Sequence, residues 1–331
     1  MASEILPRAP VGRRLEAVAA TTHAVRKVEL TKEALEDIAE NINRSGLPSH
    51  AEHDLTRPPI GRVARAWVEQ LDDGEWACWV EAEIFDGIPV LAFAGSPPIL
   101  ALPAPVAPEA GVLEINADPT NYRRPELLEE IVETARAAGE VEADATLVRH
   151  SELPDPYLVI VLGSASVAAY WFTKSFFTKM AEPLAEEVGQ DLAHVYRAFK
   201  RRIAALVASG EPADAEPVTA LHLTVPVDGR DVEVEGSLRS RSEANVEHFL
   251  DSGQGLLEAA QALLATLPCR GETTKLHFHF DPPEGEWQFA YGLTEGCQPF
   301  LVRRMLPSGE NEDEPAGGGS VSGSWKGSSG L

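Results

Sequence analysis

The chain has 331 residues, 44% of them apolar, and a formal net charge of -24 at pH 7. That length suffices for two domains of ordinary size, and the charge sets the molecule against phosphate backbones, whose binding draws on clustered Lys and Arg. Arg197, Lys200, Arg201 and Arg202 are the basic group, at spacings that suit the wet face of a helix, so nucleic acid is excluded as a main ligand. Cys78, Cys269 and Cys297 are odd in number, far apart and without a CxxC pair, which points to neither a disulfide framework nor a cysteine zinc site. A reducing cytoplasm fits best. Residues 1–10 have no apolar run of the secretory kind.

In chain order, residues 21–30 alternate as a strand does. Thr31 then caps a helix in which Leu35, Ile38, Ala39 and Ile42 recur at helical spacing, and Gly46 stops it. The segment SHAEHDLTRPPIGRV at 49–63 follows, with His53 and Asp54 between helix and strand, where rigid neighbours hold a loop residue in place. Strands at 60–70 and 75–84 form a hairpin about Asp72-Asp73-Gly74, with Trp76, Cys78, Val80, Ala82 and Ile84 on one face. Residues 87–111 are rich in proline and small apolar types, with a strand at 90–94. Another strand at 112–117 is closed by Asp118-Pro119. A helix over 125–138 turns Leu127, Leu128, Ile131 and Ala135 inward, and Gly139 ends it, which puts a domain boundary near residue 140.

The second half reads as strands at 145–149 and 157–162, then helical sequence to about residue 209, broken at Pro183 or Gly189. Leu192, Val195, Tyr196, Phe199 and Ile203 form one face of its last helix. A strand pair at 220–227 and 231–240 is joined by Asp228-Gly229. A helix over 243–267 and strands at 275–280 and 286–291 complete it. Strands and helices mixed in this order imply α+β rather than a βαβ repeat. The uncharged run PYLVIVLGSASVAAYWFT at 156–173 approaches the length of a minimal membrane span. Its β-branched first half and its Gly163-Ser164 break favour a buried strand, a turn and a helix instead. Residues 307–331, dominated by Gly, Ser and acidic types, are expected to form a disordered tail in which only Trp325 and Lys326 offer an anchor.

The helix, the His53-Asp54 loop, the strand opening at Pro59-Ile60-Gly61, the Asp72-Asp73-Gly74 turn and the strand holding Val80-Glu81-Ala82-Glu83-Ile84 occur together in that order. This order resembles the prohead (capsid-maturation) serine proteases of tailed phages, relatives of the herpesvirus assemblin fold. The likeness continues into Leu113-Glu114-Ile115-Asn116 before the Pro119 turn, and covers about the first third of the chain. It implies an α+β protein with a small β-barrel-like, protease-type domain at 1–139, a second α+β domain at 140–305 and the tail at 306–331. By the resemblance His53 is the catalytic base and Glu114 orients it. The family's serine falls at Pro89, which has no hydroxyl, so the nearby Ser96 is the candidate nucleophile of a His53, Ser96 and Glu114 triad. The expected role is a diverged, inactive protease-like protein that binds a scaffold or capsid polypeptide, or, with Ser96 active, cleaves it. No cofactor is implied.

Two other classes compete. A sensing or interaction protein of a bacterial host, for example a defence-associated one, would act through residues 140–305. A metal-dependent enzyme would use Leu276-His277-Phe278-His279-Phe280-Asp281, whose alternate residues share a strand face, with His222 as a further ligand and His50 with His53 as a weaker pair. Against the metal, Phe278 and Phe280 suit a core face that leaves both histidines to water or to a neighbouring strand, and no metal is expected. Phosphate-binding glycine loops and a GxSxG elbow are absent from the sequence.

Overall fold

Alternation and capping set the elements that position the site. The computed structural model describes residues 8–22, 30–51, 54–94, 111–117, 119–137, 141–146, 157–164, 186–213, 215–267 and 271–305. The first strand, β1, is Val11–Thr21, and helix α1 is Lys32–Ser45. Thr31 Oγ1 accepts from Ala34 N at 3.2 Å, and Gly46 ends α1 at φ 72°, a backbone state open to glycine. Strands β2 (Leu47–Ser49), β3 (Gly61–Gln70) and β4 (Trp76–Phe85) join β1 in an antiparallel sheet of order β1-β4-β3-β2. Leu35 and Ala39 of α1 bury against Val63, Ala66, Cys78 and Val80 of this sheet, with Ile38 and Ile42 beside them, as the helical spacing requires.

The remaining strands form one nine-stranded sheet. They are β5 (Val90–Ala94), β6 (Gly111–Ala117), β7 (Val141–Thr146), β8 (Tyr157–Ser164), β9 (Val218–Val227), β10 (Arg230–Arg239), β11 (Thr273–Asp281), β12 (Glu286–Thr294) and β13 (Gln298–Met305). Their spatial order is β5-β13-β12-β11-β10-β9-β8-β6-β7. Helices α2 (Glu126–Ala137), α3 (Glu186–Ala208), α4 (Glu243–Asp251) and α5 (Gly253–Thr266) contribute to its core. Alternation fixes the two faces. Leu158, Ile160, Leu221, Leu223, Val232, Val234, Leu276 and Phe278 share one core with Ile131, Ile203, Phe249 and Leu257 of the helices. The residues between them in sequence, Glu235, Ser237, Lys275, His277 and His279 among them, therefore occupy the opposite face.

The α+β class stands, and some details differ from the sequence reading. The N-terminal sheet is open, and no closed barrel is found among the described residues. The sequence reading has no strand at Val11–Thr21, the first one in the structure, and of the strand expected at 21–30 residues 23–29 lie outside the described residues. Of the strand expected at 145–149, residues 145 and 146 end the strand Val141–Thr146, and 147–149 lie outside the described residues. The helix expected over 243–267 is two helices, because Ser252 leaves helical geometry between them and its backbone carbonyl accepts from Trp287 Nε1 at 2.8 Å. In the nine-stranded sheet β5 and β6, before residue 140, pair with β13, β7 and β8, which follow it. Of the uncharged run, Tyr157–Ser164 is a strand, and residues 165–173 lie outside the described residues, as does the expected tail. No helix among the described residues is long and apolar enough to cross a membrane.

Candidate functional site

On the face of the large sheet opposite the helices, β10 and β11 pair in parallel with Glu235 beside His277 and Ser237 beside His279. Residues two apart on a strand point the same way, so four polar side chains meet at one spot. His277 Nε2 lies 2.9 Å from Ser237 Oγ, and His277 Nδ1 lies 3.3 Å from Glu235 Oε1. The second contact has ion-pair length without hydrogen-bond alignment, since Nδ1 lacks a well-directed acceptor. On the far side of the hydroxyl, His279 Nδ1 lies 3.0 Å from Ser237 Oγ. The result is a carboxylate, an imidazole and a hydroxyl in line, with a second imidazole behind.

The surroundings hold this line in place. Lys275 Nζ donates to Glu235 Oε2 at 2.7 Å and Tyr157 OH donates to Oε1 at 2.9 Å. Burial by itself raises the Glu235 pKa, but Lys275 and His277 outweigh it and hold the carboxyl well below the usual range. Tyr157 is pushed well up by burial and by the Glu235 charge, so it stays a donor. The Tyr291 ring stacks on His277 with centroids 4.9 Å apart and planes 7° apart. Desolvation, with His277 nearby, lowers His279 to about 4.

A short segment lies over this face. Tyr291 OH donates to the Leu55 carbonyl at 2.9 Å, and Asp54 Oδ1 accepts from Arg239 Nη2 at 2.9 Å. Asp54 also accepts from Thr56 and pairs with Arg57 at 3.1 Å. Burial pushes the Asp54 pKa up, while the Thr56 bonds, Arg239 and Arg57 bring it below the ordinary value. His50 Nδ1 lies 2.8 Å from the Arg57 carbonyl oxygen, and desolvation lowers its pKa. Under this cover His277 is 0%, Ser237 2% and Glu235 7% exposed.

Of the triad expected from sequence, His53 and Ser96 lie outside the described residues. Glu114 stands on β6, paired with Val161 and Asp144, four strands from His277 and so roughly 19 Å away at ordinary strand spacing. Pro89 precedes β5, and its carbonyl accepts from Leu301 N at 2.8 Å. His277 and His279 do share a face as the HxHxD pattern requires, but both meet the Ser237 hydroxyl. Asp281 instead accepts from Gln288 Nε2 at 3.0 Å. His222 Nε2 is buried without a hydrogen-bond partner, 3.9 Å from Glu233 Oε2. Among the described residues no three His, Cys, Asp or Glu side chains are grouped to hold a metal ion.

Sequence reasoning missed Glu235, Ser237, Lys275, Tyr157 and Tyr291. One signal was present: Glu233, Glu235 and Ser237 alternate with Val232, Val234 and Gly236, so β10 carries a polar face although it is central to its sheet.

No family model, curated protein or solved structure matches the chain. The functional reading therefore rests on the geometry of this cluster.

Proposed function

We propose that the protein is a closed serine-hydrolase-type protein acting on a polypeptide in the cytoplasm, with Ser237 as nucleophile, His277 as general base and Glu235 as the carboxylate that steadies it. The single observation that carries this is the Glu235, His277 and Ser237 line, with contacts of 3.3 and 2.9 Å in the order that acyl transfer requires. Glu235 favours a proton on Nδ1, which leaves the Nε2 lone pair for the Ser237 proton. As Oγ attacks a carbonyl carbon, Nε2 takes that proton and returns it to the leaving amine. Water then releases the acyl group by the reverse proton path. Such contacts are commonly long in a resting enzyme and tighten with substrate.

At 2% exposure Ser237 meets substrate only when Asp54 to Arg57 lifts away. The ties of that segment to the large sheet include the Asp54–Arg239 ion pair and the Tyr291–Leu55 hydrogen bond. A polypeptide of the scaffold or capsid kind is the substrate class implied by the likeness to prohead proteases. The net charge of -24 argues against nucleic acid, and the free thiols of Cys78 and Cys297 suit a reducing compartment.

A fluorophosphonate probe followed by peptide mass spectrometry tests the assignment. Slow labelling of Ser237 is expected, faster in Asp54→Ala and lost in Ser237→Ala and His277→Ala. A Ser237 that stays unlabelled in both the wild type and Asp54→Ala ends the hydrolase reading. The burial of Ser237, with proline at the family's serine position, favours a second reading in which the same protein binds a polypeptide without cutting it. Partner capture that survives Ser237→Ala, with no labelling, selects that reading.

A further inference from the structure

Among the described residues strand β1 is an open edge. Among these residues it pairs only with β4, and Val11 to Val18 are exposed in succession. Three of its large apolar side chains face solvent, Val11 at 45%, Leu15 at 44% and Val18 at 43%. An edge of this length with apolar side chains is a template for another strand, and single-domain proteins ordinarily blunt such edges. From the charges along it we infer that the strand it takes is β1 of a second copy, joined antiparallel about a two-fold axis at Leu15. This inference does not depend on the Ser237 reading.

The charges select one register. The regular stretch of β1 lies between irregularities at Val11/Arg13 and Val18/Ala20, so Arg13 to Val18 is the window available. Side chains directly opposite in an antiparallel pair share a face, and a two-fold axis normal to the sheet keeps corresponding faces together, so each residue meets one of its own parity. Centred on Leu15, this sets Leu15 against Leu15, Arg14 against Glu16 of the second copy, and Glu16 against its Arg14. A shift of two residues one way stacks Arg14 on Arg14, and the other way stacks Glu16 on Glu16. Odd shifts put the faces out of step.

The chain's own sheet leaves Glu16 in need of a cation. Its neighbour across β4 is Glu81, a like charge directly opposite, which disfavours the pair. Arg14 reaches Glu81 at 3.1 Å and Glu83 at 2.8 Å, and its side chain remains 64% exposed. Across the axis the Arg14 of the second copy would stand beside Glu16, on the side away from Glu81. Pairing would join two four-stranded sheets into one of eight strands and bring the two Leu15 side chains together.

Light scattering on the full chain across a concentration series, with two variants, tests this. The wild type is expected at twice the 35.7 kDa chain mass. Glu16→Arg, which its own Glu81 welcomes and the opposing Arg14 repels, is expected at the single-chain mass with its fold intact by circular dichroism. Leu15→Cys is expected to form a disulfide-linked dimer under mild oxidation that the wild type does not form. A wild type of single-chain mass overturns the proposal, as does a Glu16→Arg dimer or a Leu15→Cys chain that fails to cross-link.

Discussion

Ser237 receives two imidazole nitrogens on one hydroxyl, and that crowding decides what its removal costs. In Ser237→Ala the His277 Nε2 and His279 Nδ1 atoms lose their shared partner within a buried site, so stability is expected to fall by about 1–3 kcal/mol, read from a urea unfolding midpoint. Glu235→Gln is expected to cost more, about 3–5 kcal/mol, because the Lys275 ammonium then loses the carboxylate it pairs with at 2.7 Å. An unchanged midpoint in Glu235→Gln would show that the Lys275 ammonium finds water. The histidines were legible in the sequence and their partners were not. Leu276 to Asp281 shows its alternation openly, and Phe278 and Phe280 do fill the core as read. The partners sit forty residues away on β10, and a parallel pairing over that distance leaves no short-range spacing to read.

Among elements, the well-read ones carry a local chemical reason. Helix α1 has its Thr31 cap, its apolar stripe and Gly46, and Thr31→Ala is expected to lower stability by about 1 kcal/mol in thermal or urea unfolding. The hairpin of β3 and β4 has its Asp72-Asp73-Gly74 turn. Elements that depend on distant neighbours were missed or misread. β1 has no clean alternation because its residues through Val18 are exposed, and the break at Ser252 is set by Trp287, far along the chain. Gly236 belongs to this second kind. A methyl there would stand 2.5 Å from Trp287 Cζ3 and 2.7 Å from Leu256 Cδ2, since β12 and α5 close on the strand at that point. Gly236→Ala is expected to destabilise by about 1–3 kcal/mol through displaced packing and, by shifting β10, to weaken fluorophosphonate labelling of Ser237. Normal stability and normal labelling together would mean that Trp287 moves aside freely.

For the whole molecule, acid is the condition to which this architecture is most sensitive. His279 has its pKa lowered to about 4 by burial, so the unfolded chain binds its proton from the ordinary value of 6.5 downward while the folded one resists. Stability from this source is therefore full above pH 6.5 and declines as pH falls from there to about 4. His50, also lowered, adds in the same direction, and Glu235 adds a further loss below 4.5 as its carboxylate protonates. Urea midpoints measured from pH 7.5 to 4 should fall steadily, and His279→Gln should flatten the slope between 6.5 and 4; parallel slopes would remove His279 as the cause. The order of the large sheet carries another consequence. β5, which begins at residue 90, has β13, ending at residue 305, as its neighbour in the sheet. During synthesis β5 leaves the ribosome long before that neighbour exists, so this edge of the sheet can be finished only after β13 has emerged, some two hundred residues later. A nascent chain stalled short of Gln298 would hold β5 waiting, with its backbone donors and acceptors open to chaperones.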